Sequence, residues 1–117
     1  MSVNLKKLLT DFFILMALTT NISFIVSPNM VELVIVVAMN LAATILKIGE
    51  SRMLSAEQMA ASLAADLHLV QALFFYALGD APEGVGLAWG ALAANVVSVI
   101  LAIVDVVLTT QTELEEY

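Results

Sequence analysis

The 117-residue chain has no cysteine, one histidine and four basic residues. Without cysteine there is no disulfide framework, no iron–sulfur site and no thiol chemistry. One histidine without a thiol leaves a zinc site short of ligands. Four lysines and arginines make no basic patch able to meet phosphates, which excludes nucleic acid as a partner. Charged residues of either sign amount to 13%, against about 25% in an ordinary soluble domain. No Ser–His–acid set and no glycine-rich phosphate loop is present. The chain therefore reads as a non-enzyme that needs no cofactor and no metal.

What fills the sequence instead is apolar side chain. Hydrophobic residues make up 62% and the mean hydropathy is +1.01. One domain spans 1–117, built on four apolar runs over about 5–26, 30–47, 56–78 and 85–108. Each run is long enough to cross ~30 Å of hydrocarbon as a helix. The first is too long for a signal-peptide core, and no small-x-small cleavage site closes it. Ser27-Pro28-Asn29 separates the first two runs, because proline cannot continue the ladder and disfavours helix before it. Gly49, Glu50, Ser51 and Arg52 break the second from the third, and Ser55 with Gln58 is a capping-box pattern. Gly79 to Gly84 reads as a turn with strong breakers. An acidic tail, 109–117, carries Glu113, Glu115 and Glu116.

Such short connections force antiparallel neighbours. The expected fold is all-α, an integral membrane four-helix up-down-up-down bundle. Lys6, Lys7, Lys47 and Arg52 all fall at one end, and the other two connections carry only acids. By the positive-inside rule the N-terminus and C-terminus are both cytoplasmic. Gly86, Gly90 and Ala94, with Ala60, Ala61, Ala64 and Ala65, give narrow helix faces that let backbones approach in lipid. These faces serve either an oligomer contact or packing within the bundle. Phe74, Phe75, Tyr76 and Trp89 lie where an aromatic belt is expected.

Ionisable groups inside a span are costly and mark candidate functional positions. A charged aspartate at the bilayer centre costs about 3 kcal/mol. Asp66 continues a stripe begun by Gln58 and Ser62, while His68 shares a stripe with Gln71. Two positions apart on a helix is about 200°, so Asp66 and His68 face nearly opposite ways. One of them is then expected to point at lipid, another subunit or a partner, and the pair cannot aim at one ion. Asp11 and Asp105 sit near the basic end of their spans, where either Lys47 pairs with one of them or the acids form a mouth that concentrates cations. Asn40, Thr44 and Lys47 form a stripe on the second span; Asn95, Ser98 and Asp105 form one on the fourth. These stripes either hydrogen-bond across the bundle or line a hydrated path. Glu32 is expected to be solvated, beside Thr19, Thr20, Asn21 and Ser23. With Asp80 and Glu83 it makes that face acidic.

The stretch Asn40-Leu41-Ala42-Ala43-Thr44-Ile45-Leu46-Lys47, followed by Ala64-Ala65-Asp66-Leu67-His68-Leu69, resembles a family of short four-span bacterial inner-membrane proteins of unknown function. The resemblance spans most of the chain and carries no activity and no functional residue. It implies a bacterial cytoplasmic membrane location and an association with cation uptake, potassium in particular. The chain is also similar to the small multidrug-resistance exporters in length, in its four spans and in having an acid in the first. Asp11 lies too near the span end to match their mid-span glutamate, and their aromatic residues are missing, so that likeness is architectural.

The function expected from these readings is that of an accessory or oligomeric subunit in cation transport. Its partners would be lipid, further copies or a larger transport protein, and a monovalent cation. Asp66, His68, Gln71, Asn40, Asn95, Asp105 and Asp11 are the pathway candidates. The alternatives are a self-standing proton-coupled homo-oligomeric transporter or channel carried by Asp66, and a structural scaffold whose polar groups only join helices.

Overall fold

The computed structural model describes residues 5–49 and 54–115. Glu50, Ser51 and Arg52 of the second connection and Glu116 of the tail lie outside the described residues. Four helices follow in order: α1 Leu5–Val26, α2 Met30–Lys47, α3 Ser55–Ala77 and α4 Ala81–Glu115. All four are long and apolar enough to cross a membrane, and only 22% to 33% of each apolar window is buried inside the bundle. That much apolar surface is stable only against lipid, and the protein is a multi-pass membrane bundle.

Each helix packs on two neighbours: α1 and α3 both touch α2 and α4, and the diagonal pairs make no close approach. The buried positions step by threes and fours. On α1 they are Thr10, Ile14, Ala17, Asn21 and Phe24. On α2 they are Leu33, Val36, Asn40, Ala43 and Lys47. α3 and α4 follow the same rhythm, from Gln58 to Ala72 and from Gly84 to Asp105. This heptad spacing is the seam of a left-handed antiparallel bundle.

The helix ends follow local chemistry. Asn29 caps α2, its side-chain oxygen accepting from the Glu32 amide at 2.8 Å. α3 ends in a Schellman turn, with Asp80 N–H bonded to Phe75 O and Gly79 N–H to Tyr76 O. Gly79 sits at φ +91°, where a side chain would be strained.

Two sequence-based boundaries move. Residues 79–84 are not all turn, because α4 already begins at Ala81. Pro82 lies in the first turn, where a missing N–H costs no ladder bond. Asp80 accepts from the Glu83 amide at 3.2 Å and caps that turn. At its other end α4 runs on to Glu115 rather than stopping near 108, since loss of hydropathy ends a span without ending a helix. At 1.5 Å per residue α4 is about 52 Å long, close to the 58 Å long axis of the molecule. The capping box expected at Ser55 and Gln58 is absent too. Leu54 occupies the cap position without a side-chain bond, and the Gln58 amide is committed to α4.

The closest approach is between α3 and α4. A Cβ on Gly84 would meet Tyr76 Cβ at 3.1 Å, and one on Gly90 would meet His68 Cδ2 at 2.6 Å. Around Gly86 there is open space. Gly84 and Gly90 therefore serve packing inside the bundle. Phe74 and Trp89 are exposed on its flank, whereas Tyr76 packs edge-on against Phe24 at 5.6 Å.

Candidate functional site

The heptad seam has the same geometry along its length but two chemistries. Toward the end formed by the 27–29 and 78–80 connections, here the turn end, it holds Phe24, Leu33, Val36, Leu69, Ala72, Ala88 and Ala91. Toward the end carrying Lys6, Lys7 and Lys47, the basic end, the buried positions are Thr10, Asn40, Lys47, Gln58, Ser62, Ser98 and Asp105.

Lys47 organises the polar half. It is 6% exposed, and its ammonium donates to the hydroxyl of Ser62 on α3 and to that of Ser98 on α4, the latter at 3.0 Å. Ser98 Oγ donates to Gln58 Oε1 at 2.7 Å, and Gln58 Nε2 returns a bond to Ser98 O at 2.8 Å. One lysine thus ties three helices together, as a cation in low dielectric requires. Thr44 Oγ1 donates to Asp66 Oδ2 at 2.5 Å, and the Lys47 charge acts on the same carboxylate. Asp66 Oδ1 is buried with no hydrogen-bond partner.

Asp105 is 2% exposed, and neither of its oxygens accepts a hydrogen bond. No hydrogen bond therefore joins Lys47 to Asp105; the ammonium donates to the hydroxyls of Ser62 and Ser98. Asp11 lies 3.7 Å from Lys7 on its own helix, at the rim of an apolar groove between α1 and α4 lined by Ile14, Ala102 and Val106. Lys6 closes the basic end by donating to Ile48 O at 3.2 Å, a carbonyl just past the α2 terminus.

The sequence-based candidates are not brought to one place. Asn40 donates to Val36 O within α2 at 3.1 Å. Asn95 turns to α1, donating to Asn21 Oδ1 at 3.0 Å, and Asn21 donates to Ala88 O at 3.2 Å. Gln71 is exposed on the outer face of α3. The His68 ring lies against Gly90, and its Nδ1–H donates to Ala64 O at 2.7 Å. Asp66 and His68 do occupy opposite sides of α3, but α2 covers one side and α4 the other. The expectation that one of them must reach another subunit fails because a central helix has two in-chain neighbours.

Sequence reasoning missed the seam positions of Thr10 and Asn21, and the part that Gln58 and Ser62 take in the Lys47 network. Thr10, at 1% exposure, continues the seam of α1. Asn21, read from the sequence only as a neighbour of Glu32, is fully buried. Gln58 and Ser62 hold the Lys47 network as well as sharing a stripe with Asp66. The signal for all of them is the three- and four-residue step, in which Thr10 and Asn21 fall on one face with Ile14, Ala17 and Phe24.

No curated protein and no solved structure matches the chain. A family model does, over residues 27–106, more than half of the chain. That stretch contains both segments whose resemblance was read from the sequence, together with Lys47, Asp66 and Asp105. The chain belongs to this family, a family of unknown function (DUF6394).

Proposed function

We propose that the protein is a subunit of a membrane assembly that handles monovalent cations, joining either further copies or a larger transport protein. On this reading it sits in the bacterial cytoplasmic membrane with both termini, and hence the polar half of its core, on the cytoplasmic side. Lys6, Lys7 and Lys47 at that end support the orientation. The observation that carries the reading is a lysine-centred hydrogen-bond network in one half of the core, with Asp66 and Asp105 in that same half but outside the network's bonds. Buried ionisable groups in a span are retained where ions or protons are held or passed.

The other half supports a subunit over a self-standing channel. Phe24, Leu33, Val36 and Leu69 have zero exposure and fill the seam with hydrocarbon, so the bundle offers no continuous polar route of its own. Extraction in mild detergent followed by native mass measurement tests this. A co-purifying transport protein or a defined homo-oligomer is expected; a bare monomer with no companion overturns it. In reconstituted vesicles the chain alone is expected to give no cation or proton flux. Flux that Asp66→Asn abolishes would move the assignment to a self-standing transporter.

A further inference from the structure

The groove between α1 and α4 takes no part in the polar core. Asn95 joins α4 to α1 through Asn21, and the groove opens beyond that bond, toward the basic end. Its walls are Ile14 and Leu15 of α1 and Val99, Ala102, Ile103 and Val106 of α4, and its volume is about 410 Å³. Leu15, Ile103 and Val106 are exposed along it. Both helices are apolar enough to cross a membrane, so the groove opens on hydrocarbon rather than on water. Asp11 stands at the rim, its Oδ2 3.7 Å from Lys7 Nζ, and both side chains remain accessible. Lys6, the neighbouring base, donates to Ile48 O. The result is an apolar slot with one positive and one negative charge side by side at its edge.

We propose that this groove binds one acyl chain of a zwitterionic aminophospholipid, whose phosphate meets Lys7 and whose ammonium meets Asp11. The size of the groove favours a lipid chain over a second copy. A helix is about 10 Å across, and a volume of this size takes about one turn of it; an acyl chain is slim enough to lie along the groove. The charges at the rim choose the headgroup. Anionic lipids are drawn to clusters of about four to eight bases, whereas this rim sets one base against one acid. Its complement is a headgroup that also carries both signs. A primary ammonium donates N–H bonds to a carboxylate, and bonds between charged partners are the strong ones. A choline headgroup carries the same charges but has no N–H to donate. An ammonium has three donors and a carboxylate about four lone-pair sites, so Lys7 and Asp11 can hold a lipid without giving up each other. The site needs neither a second copy nor an ion, and it stands apart from the subunit reading.

The test is a lipid titration of the full chain, stripped of lipid in mild detergent and read by native mass measurement. The probes are phosphatidylethanolamine, phosphatidylcholine and phosphatidylglycerol with identical acyl chains. One phosphatidylethanolamine per chain is expected to be retained about fivefold better than either of the others, the upper range for one part-exposed ion pair. This comparison needs no variant to fold. Asp11→Asn is expected to bring the ethanolamine lipid down to the level of the choline lipid. Lys7→Gln is expected to weaken those two alike, since both carry the phosphate. Ala102→Phe fills the groove and is expected to lower retention of all three lipids while the helical circular-dichroism signal is kept; Ala102→Leu fills it less if the larger ring disturbs the fold. Equal retention of the three lipids by the unmodified chain overturns the headgroup choice, and a preference for phosphatidylglycerol makes the rim an anion site instead. An ethanolamine preference that survives both Asp11→Asn and the filled groove overturns the location.

Discussion

The two halves of the bundle are built on one spacing and opposite chemistry. At the turn end the heptad positions are aliphatic, aromatic or alanine, and the helices close by shape, with Gly84 against Tyr76 and Phe24 against Tyr76. At the basic end the same positions are lysine, glutamine, serine, threonine and aspartate, and the helices are held by directed bonds. Lipid removes the hydrophobic drive between helices, so the turn end depends on close packing alone. The basic end adds groups whose desolvation opposes insertion. A bundle made only to be stable would not need them. The difference therefore separates a part of the core closed by shape from a part held by directed bonds.

The sharpest way to break this comparison is Lys47→Met. Methionine is similar in length but removes the charge and both bonds to Ser62 and Ser98, and it leaves Asp66 without its nearby cation. A loss of about 3 kcal/mol is expected, the cost of removing one side of a buried ionic set. Replacing the set together, Lys47→Met with Asp66→Leu and Asp105→Leu, is expected to restore stability or exceed that of the unmodified protein. Reversible unfolding in mixed micelles measures both. If the triple variant is as unstable as Lys47→Met alone, the polar half is structural and the contrast collapses.

Phe24→Ala probes the turn end and should cost somewhat less. Lipid is as apolar as the core, so only the packing and cavity contribution remains, about 2 kcal/mol. The same unfolding assay applies, and a change below about 0.5 kcal/mol would mean that this half is not tightly packed. Gly90→Ala comes next. The added methyl meets the His68 ring at 2.6 Å, and overpacking of this size costs about 1 to 2 kcal/mol. His68→Ala should relieve most of it in a double-mutant cycle, because the two residues touch. Independent, additive costs would place His68 away from Gly90.

Much of this was legible in the sequence. Hydropathy located the spans, and Pro28 and the Gly79-Asp80 pair located two turns, because breakers act through local backbone geometry. The opposition of Asp66 and His68 followed from helical rotation alone. What that rotation could not supply was the neighbours. Whether the His68 side of α3 meets lipid, another chain or α4 depends on how α3 is turned about its own axis toward α4, and that contact is made where Gly90 leaves room for the His68 ring. The pairing of Lys47 with serines rather than with Asp105 was equally hidden, since net charge favours the acid and only side-chain reach selects the hydroxyl. Asn21 is a different case. Its place in the seam was readable from the steps of three and four, but it was read only as a neighbour of Glu32 in the hairpin.

Asn21 also offers the finest test, because it is the polar residue that reaches into the turn-end half. Its bond from Asn95 crosses from α4 to α1, where no connection joins the two helices. Interhelical bonds of this kind average about 0.6 kcal/mol in membranes. A double-mutant cycle on Asn21→Leu and Asn95→Leu should give a coupling near that figure in micellar unfolding. Each single change should cost more than the double, since it leaves a buried amide without its partner. A polar pair within an apolar seam also fixes register, the best-attested use of buried asparagine in helical bundles. The double variant is therefore expected to keep its stability while cysteines introduced on α1 and α4 crosslink at more than one register. A single crosslinked register in the double variant would show that Gly90 and its neighbours already align α4, and would leave Asn21 to the polar half in chemistry as well as in kind.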